Sequence, residues 1–125
     1  MNKYRDKSDF EINKAVAIAR GAEPFHNDGF KKSTGYFHKD AVIIKAKFKI
    51  GAFDPCNNPA DAMPIIFDNN ISLILSHNEY PLATNNPSGL FRDALPPENV
   101  VTNKNTLRAA MELFLIMKDA ENEKV

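Results

Sequence analysis

The sequence predicts one α+β domain, and three stretches of its 125 residues carry that prediction. Residues 9–20 and 105–122 repeat apolar side chains at about the 3.6-residue period of an amphipathic helix. Residues 42–50 alternate apolar and polar side chains, as a strand with one buried face does. A chain of this size can bury a core without disulfides or metals, and its composition shows no internal shift. Residues 1–125 are therefore predicted to form a single domain.

The first predicted helix begins at a capping box. In the sequence SDFE at residues 8–11, the serine hydroxyl can accept a hydrogen bond from the backbone N–H of the glutamate. Gly21 follows the last apolar position and can adopt the left-handed conformation that ends a helix, so the predicted span is 9–20. Pro and Gly punctuate residues 22–40, where one short strand is predicted near Tyr36.

The strand predicted over residues 42–50 has one apolar and one basic face. Its wet face carries Lys45, Lys47 and Lys49, spaced about 7 Å apart on the same side, which is close to the phosphate spacing of a nucleic-acid strand. Such a row could contact nucleic acid, with nearby aromatic side chains stacking on bases. Lysines on the exposed side of a strand also keep a sheet soluble and its edge unpaired, and this simpler interpretation is favoured.

A second helix is predicted from Pro59, with Asn58 as its N-cap and Asp61 near its positive end. Pro64 lies inside this helix, where a proline removes a backbone hydrogen bond and crowds a carbonyl. A bend or break is therefore predicted at Pro64, and a second strand is predicted over residues 71–77.

The chain from residue 78 onward is predicted as a long loop followed by a helix. Residues 78–103 contain four prolines and leave room for at most one short strand near Leu90. In the last helix, Leu113, Leu115 and Ile116 widen the apolar face until it covers most of the circumference. Such a helix is expected between layers of the domain or at a contact with a second copy, so a homo-oligomer through this helix is one alternative.

Composition excludes several classes of function. Sixteen Lys and Arg residues balance sixteen Asp and Glu residues, so no overall field draws the chain to nucleic acid or to an anionic membrane. The longest apolar run, residues 113–117, is far shorter than the roughly 20 residues of a membrane span. The charged N-terminus lacks the apolar segment of a signal peptide, and the chain has a single cysteine. These features predict a cytoplasmic protein without membrane association.

Few residues are candidates for chemistry. Cys56 could act as a nucleophile only beside a histidine and with a lowered thiol pKa, whereas His26, His38 and His77 lie in separate segments. The simpler expectation for Cys56 is a buried or turn position without chemistry. No phosphate-binding loop, nucleophile elbow or zinc motif is present in the sequence. The sequence therefore predicts no catalytic residue, no metal and no cofactor.

Three blocks of the sequence resemble the NinX-like family of tailed-phage and prophage proteins. They lie in the family's order at residues 8–14, 53–66 and 107–111, and the central block, FDPCNNPADA followed by PII, is the most specific. Met63 stands where the family has tryptophan, and Thr106 where it often has proline. The resemblance implies a phage origin and a small antiparallel sheet packed between helices, as in an α-β-α sandwich. It implies no established activity.

The leading hypothesis is a non-enzymatic phage accessory protein that binds a host or phage protein. The predicted contact surface comprises the 78–103 loop and residues of the central block: Asp54, Pro55, Cys56, Asn57, Asn58 and Asp61. The alternative is a nucleic-acid-binding accessory protein that uses Lys45, Lys47 and Lys49. A cysteine-dependent enzyme ranks last.

Overall fold

A computed structural model of the protein describes residues 2–25, 30, 41–75, 80–86 and 99–123. Within this part of the chain there are three helices: α1 (Asp9–Ala19), α2 (Pro59–Asp68) and α3 (Thr106–Glu123). The same part contains six short strands: β1 (Glu23–Pro24), β2 (Val42–Lys45), β3 (Ile50–Phe53), β4 (Ser72–Ile74), β5 (Leu82–Thr84) and β6 (Val100–Thr102). They form two three-stranded antiparallel sheets, in the orders β1-β2-β3 and β4-β5-β6. The predicted α+β class is confirmed.

One apolar core joins both sheets and all three helices of the described chain. α1 packs against β2 and α3, and α3 also contacts α2, β5 and β6. α3 is buried continuously from Arg108 to Leu115. Its nearly all-round apolar surface is thus covered by elements of the same chain. No helix in the described residues combines the length and the hydrophobicity needed to cross a membrane.

The first helix follows the sequence prediction closely. Ser8 Oγ accepts a hydrogen bond from Glu11 N at 3.2 Å, which is the predicted capping interaction. At the other end Gly21 has a φ of +80°, in the left-handed region. This conformation lets Ala22 N donate to Ala17 O at 2.9 Å and so closes the last turn.

The continuous strand predicted over residues 42–50 is wrong. Only residues 42–45 form β2, and the chain then reverses direction. β2 and β3 form a hairpin in which Val42 pairs with Phe53, and Ala46 N donates to Lys49 O at 2.9 Å across the turn. The turn lacks the Asn-Gly or Asp-Gly sequence that usually marks a tight hairpin. Apolar and polar side chains continue to alternate through the turn, so the period alone could not reveal it.

The second helix has the predicted start but not the predicted interruption. Asn58 Oδ1 accepts from Ala60 N at 3.0 Å, with Pro59 at the first helical position. The helix continues through Pro64 to Asp68, so the predicted break is wrong. Pro64 and Ala60 are both exposed, so the proline ring lies in solvent and water can hydrate the carbonyl that loses its donor.

The second sheet was only partly visible in the sequence. β4 is shorter than the strand predicted over residues 71–77, although it lies within that range. β5 and β6 come from the 78–103 stretch predicted as a loop. Strands of three residues are too short to show a clear alternation, which explains the error. The strands predicted near Tyr36 and Leu90 lie outside the described residues.

Candidate functional site

The turn between β3 and α2 holds the predicted contact residues, and most of them point inward. Pro55 and Cys56 are fully buried, and Asp61 is only 7% exposed. Asp54 and Asn57 reach the surface, where both line an open cleft. The turn therefore has a buried side that holds the fold and a smaller side that is open to a ligand.

Asn13 of α1 fastens this turn to the first helix. The side chain is buried, and its Nδ2 donates to Asp54 Oδ1 at 2.7 Å while its Oδ1 accepts from Cys56 N at 3.0 Å. One amide thus donates to a carboxylate and accepts from a buried backbone N–H. This geometry fixes the direction of the Asp54 carboxylate.

Asp61 fastens the end of β3 to the first turn of α2. Its carboxylate accepts from Asp54 N at 2.9 Å and from Lys49 Nζ at 2.6 Å. The charge of this buried carboxylate is therefore balanced by a lysine from the hairpin, as a buried charge requires. Asp61 and Lys49 are structural partners in this arrangement.

Asn105 fastens the turn to the start of α3. Its Oδ1 accepts from Arg108 N at 3.1 Å, which caps the helix. Its Nδ2 donates to Cys56 O at 2.7 Å and to Asn57 Oδ1 at 3.1 Å. The sequence predicted a helix over residues 105–122 but not that the side chain of its first residue holds the central turn.

Arg108 of α3 donates hydrogen bonds to two carboxylates and to backbone carbonyls near the N-terminus. Its guanidinium donates to Asp9 at 2.6 Å and to Glu112, which is 1% exposed, at 2.8 Å. Burial alone lowers the pKa of Arg108, but the hydrogen bonds to Glu112 and Asp9 outweigh it and raise the pKa. The same guanidinium also donates to the backbone carbonyls of Tyr4, Arg5 and Lys7. We call Asn13, Asp54, Asp61, Asn105, Arg108 and Glu112 the polar hub.

Cys56 lies inside the polar hub with its thiol buried. Burial raises the pKa of this thiol, and the negative charge of Asp9 raises it further, against a smaller opposing effect from Arg108. A thiol in this setting stays protonated at neutral pH, whereas a nucleophilic cysteine needs a thiolate. The geometry therefore agrees with the simpler expectation of a buried cysteine.

A cleft of 670 Å³ opens between the N-terminal end of α1 and the open end of the β2–β3 hairpin. Phe10, Val42 and Phe53 supply apolar walls, and Asp9 and Asp54 supply carboxylates. Asp54 accepts hydrogen bonds from the neutral amides of Asn13 and Asn57, and no described cation pairs with it. We call this cavity the Asp54 cleft. It combines apolar walls with a carboxylate that has no counter-charge among the described residues.

The three lysines predicted to share one strand face are separated by the hairpin. Lys45 ends β2, Lys47 lies in the turn, and Lys49 approaches β3 with its ammonium bound to Asp61. The prediction that the three lysines form an evenly spaced row on one strand face is therefore wrong. Lys45 and Lys47 are exposed and can still contact a ligand.

Sequence reasoning did not single out Asn13, Arg108 or Glu112. A signal was present, since each is a polar residue among the apolar positions of a helix, where a side chain needs a specific partner. The described residues contain no group of three or more His, Cys, Asp or Glu placed to hold a metal ion.

Comparison with known proteins identifies one family. A family model described as "Bacteriophage P22, NinX" matches residues 3–118 of this chain. The match includes all three sequence blocks noted above and confirms the resemblance that they indicated. No curated protein and no solved structure matches the chain significantly.

Proposed function

The chain belongs to the NinX family of phage proteins, and on that premise we propose that it is a non-enzymatic accessory protein that binds a protein partner at the Asp54 cleft. The observation that carries this proposal is the cleft itself, where Asp54 faces open space beside apolar walls and no cation of the described residues pairs with it. Small sites that combine apolar walls with a few fixed polar groups are typical of ligand recognition.

The chemistry of the cleft defines what the partner must present. The Asp9 carboxylate is already paired with Arg108, so Asp54 is the carboxylate with charge to offer. A lysine or arginine side chain fits this position, because its aliphatic stem can contact Phe10 and Phe53 while its charged end reaches the carboxylate. We therefore expect a partner segment that carries a basic residue beside apolar ones.

The polar hub supports this function by holding the carboxylate still. Asn13 orients Asp54, and Asp61 fixes the backbone of the same residue. A site that is rigid before binding loses less conformational entropy when the partner arrives. The inward-facing residues of the central block thus serve the site without touching the partner.

The test compares partner recovery by the wild-type chain and by Asp54→Asn from lysates of phage-infected bacteria. Asp54→Asn keeps an acceptor for Asn13 and removes the charge, together with the second acceptor oxygen that faces Asn57. We expect a partner recovered in stoichiometric amount by the wild type and lost with this variant. Glu121→Gln, which removes an exposed carboxylate from α3, is the matched control and should recover the partner normally.

A photo-crosslinking phenylalanine at Asn57 locates the contact on the protein. Asn57 is exposed at the rim of the cleft, so its replacement should cross-link to the same partner. Replacement of Glu121 by the same group should not. Equal recovery by wild type and Asp54→Asn, or no partner with the wild type, would contradict the proposal.

Nucleic-acid binding is the second candidate function, and the exposed pair Lys45 and Lys47 at the hairpin supports it. Two exposed lysines two residues apart can contact a phosphate backbone, with binding that weakens as salt rises. The test is binding to labelled single- and double-stranded DNA and RNA across a salt series. Lys45→Glu/Lys47→Glu should abolish binding and Lys3→Glu/Lys7→Glu should not. Binding that is equal in both double variants would contradict this candidate.

A further inference from the structure

The outer edge of β3 has backbone groups that no other strand of the described chain uses. Antiparallel strands exchange hydrogen bonds at alternate residue pairs. Ala46 N donates to Lys49 O, so the next exchanging pair along the register is Ile44 with Gly51. The register therefore assigns the N–H and C=O groups of Ile50 and Ala52 to the side away from β2, with Gly51 between them at a φ of +128° that only glycine adopts readily.

The neighbouring strand confirms this assignment. Ile43 is the register partner of Ala52, and its carbonyl accepts from Phe25 N at 2.9 Å on the β1 side. Because Ile43 uses its backbone toward β1, Ala52 faces the opposite way. The next outward N–H along β3 belongs to Asp54, and Asp61 already accepts it. The open part of the edge is thus Ile50 to Ala52, which we call the β3 edge.

The β3 edge lacks the usual protection against pairing with another chain. Exposed edges commonly carry a charged residue, a proline or a bulge. Here Ile50 is 64% exposed and Ala52 is exposed beside it, with no charge between residues 50 and 53. Lys49 precedes the strand, but its ammonium is bound to Asp61 and does not guard the edge.

We propose that the β3 edge docks a second copy of this chain by antiparallel β3–β3 pairing. A two-fold axis at Gly51 places Ile50 of each copy opposite Ala52 of the other, and these are the residues with outward backbone groups. The two Gly51 residues meet at the narrow, non-exchanging position, where neither contributes a side chain. The formal net charge is zero, so no overall repulsion opposes the pairing of two copies.

The pairing makes one six-stranded sheet and covers Ile50 of both copies. Its area is small, because few residues of each chain take part, and it falls below the ~1,200 Å² at which stable interfaces begin. We therefore expect a weak dimer that forms as concentration rises. The β3 edge and the Asp54 cleft share Ala52, whereas Ile50 does not line the cleft. Ile50→Lys therefore tests the edge alone, and Asp54→Asn tests the cleft alone.

Sedimentation equilibrium of the full chain from micromolar to millimolar concentration tests the pairing. We expect a monomer–dimer equilibrium for the wild type, weakened at least about tenfold by Ile50→Lys and by Ala52→Pro. Leu75→Lys is the matched control, because Leu75 is 67% exposed in a different part of the fold, and it should dimerise as the wild type does. Thermal unfolding of each variant checks that the monomer is folded.

A cross-link between the two Lys45 residues tests the geometry. Strand spacing places their Cα atoms about 16 Å apart in the proposed dimer, within reach of amine-reactive linkers. Mixed isotope-labelled and unlabelled chains should give a Lys45–Lys45 cross-link that disappears in Ile50→Lys. A wild type that stays monomeric at millimolar concentration would overturn the proposal. So would a dimer that persists unchanged in both edge variants.

Discussion

The polar hub and the β3 edge adjoin at the end of β3, where Asp54 of the hub follows Ala52 by two residues, yet their polar groups differ in whether the chain itself supplies a partner. In the polar hub every buried side-chain nitrogen and oxygen of the described residues has a hydrogen-bond partner. On the β3 edge, backbone groups of Ile50 and Ala52 point away from β2 without a partner strand in the described chain. The side chains of the hub are hydrogen-bonded within the chain, whereas the β3 edge leaves backbone groups that a second chain can bind.

This difference separates residues that build the fold from residues that can meet a partner. The central sequence block contributes Asp61 to the hub, and its Cys56 is buried against hub residues through backbone hydrogen bonds to Asn13 and Asn105. Their burial means that a specific sequence block need not be a binding surface. The accessible groups are Asp54 at the cleft and Ile50 on the edge.

Arg108→Met should cause the largest loss of stability. It removes the cation that binds Asp9, Glu112 and three backbone carbonyls, and leaves the 1%-exposed Glu112 carboxylate buried without its counter-charge. Breaking a buried pair in this way costs about 3–5 kcal/mol, a large part of the ~5–15 kcal/mol that stabilises a domain. Urea unfolding at neutral pH measures the loss.

The double variant Arg108→Met/Glu112→Met sharpens this prediction. Replacing both charges by apolar side chains leaves no unpaired buried ion, so the double variant should be more stable than Arg108→Met alone. Arg108→Lys keeps the charge but not the planar set of donors, and it should fall between Arg108→Met and the wild type. A loss below about 1 kcal/mol for Arg108→Met would show that the hub is not a major source of stability.

Asn13→Ala should cause the next largest effect. The substitution leaves Cys56 N–H buried without an acceptor and removes the donor that orients Asp54, at a cost of about 1–3 kcal/mol. Asn122→Ala, at an exposed position near the end of α3, is the matched control and should change stability by less than about 0.5 kcal/mol. Equal effects of the two variants in thermal unfolding would contradict the assigned role of Asn13.

Alkaline pH should weaken the hub through Cys56. Burial raises the thiol pKa of the folded protein above the ordinary 9.0. Its contribution is therefore complete below pH 9.0 and is lost as the pH rises beyond that value, because the unfolded chain then releases a proton that the folded chain retains. Above about pH 9.0 the free energy of unfolding should fall more steeply for the wild type than for Cys56→Ala. Parallel pH profiles would contradict this.

The sequence predicted those parts of the fold that depend on local interactions. Ser8, Gly21 and Asn58 act on backbone groups within a few residues, and the structure shows the capping and termination that their side chains or conformations predict. The predicted row of three lysines was wrong because the chain turns between β2 and β3. This turn contains no glycine or asparagine, and apolar and polar residues continue to alternate through it. Turn position depends there on pairing with distant residues, which local period does not encode.

The candidate site was predictable in its location but not in its orientation. The sequence marked residues 54–61 as a specific block, and this block does border the cleft. Which side chains face inward depends on Asn13 and Asn105, which are distant in sequence and meet the block only after folding. Long-range hydrogen bonds of this kind leave no spacing signal in the chain.

The smallest effect on stability should come from Ile50→Thr on the β3 edge, in contrast to the large effects of the substitutions in the hub. Ile50 is 64% exposed, so most of its surface is in water in the monomer and the substitution removes little buried area. Threonine is also well suited to a strand, and the free energy of unfolding should change by less than about 0.5 kcal/mol in dilute solution. Urea unfolding repeated at millimolar protein should separate the two chains, because dimerisation stabilises only a folded state that can pair. A large loss in dilute solution would mean that Ile50 belongs to the closed part of the fold, and the distinction between hub and edge would then fail.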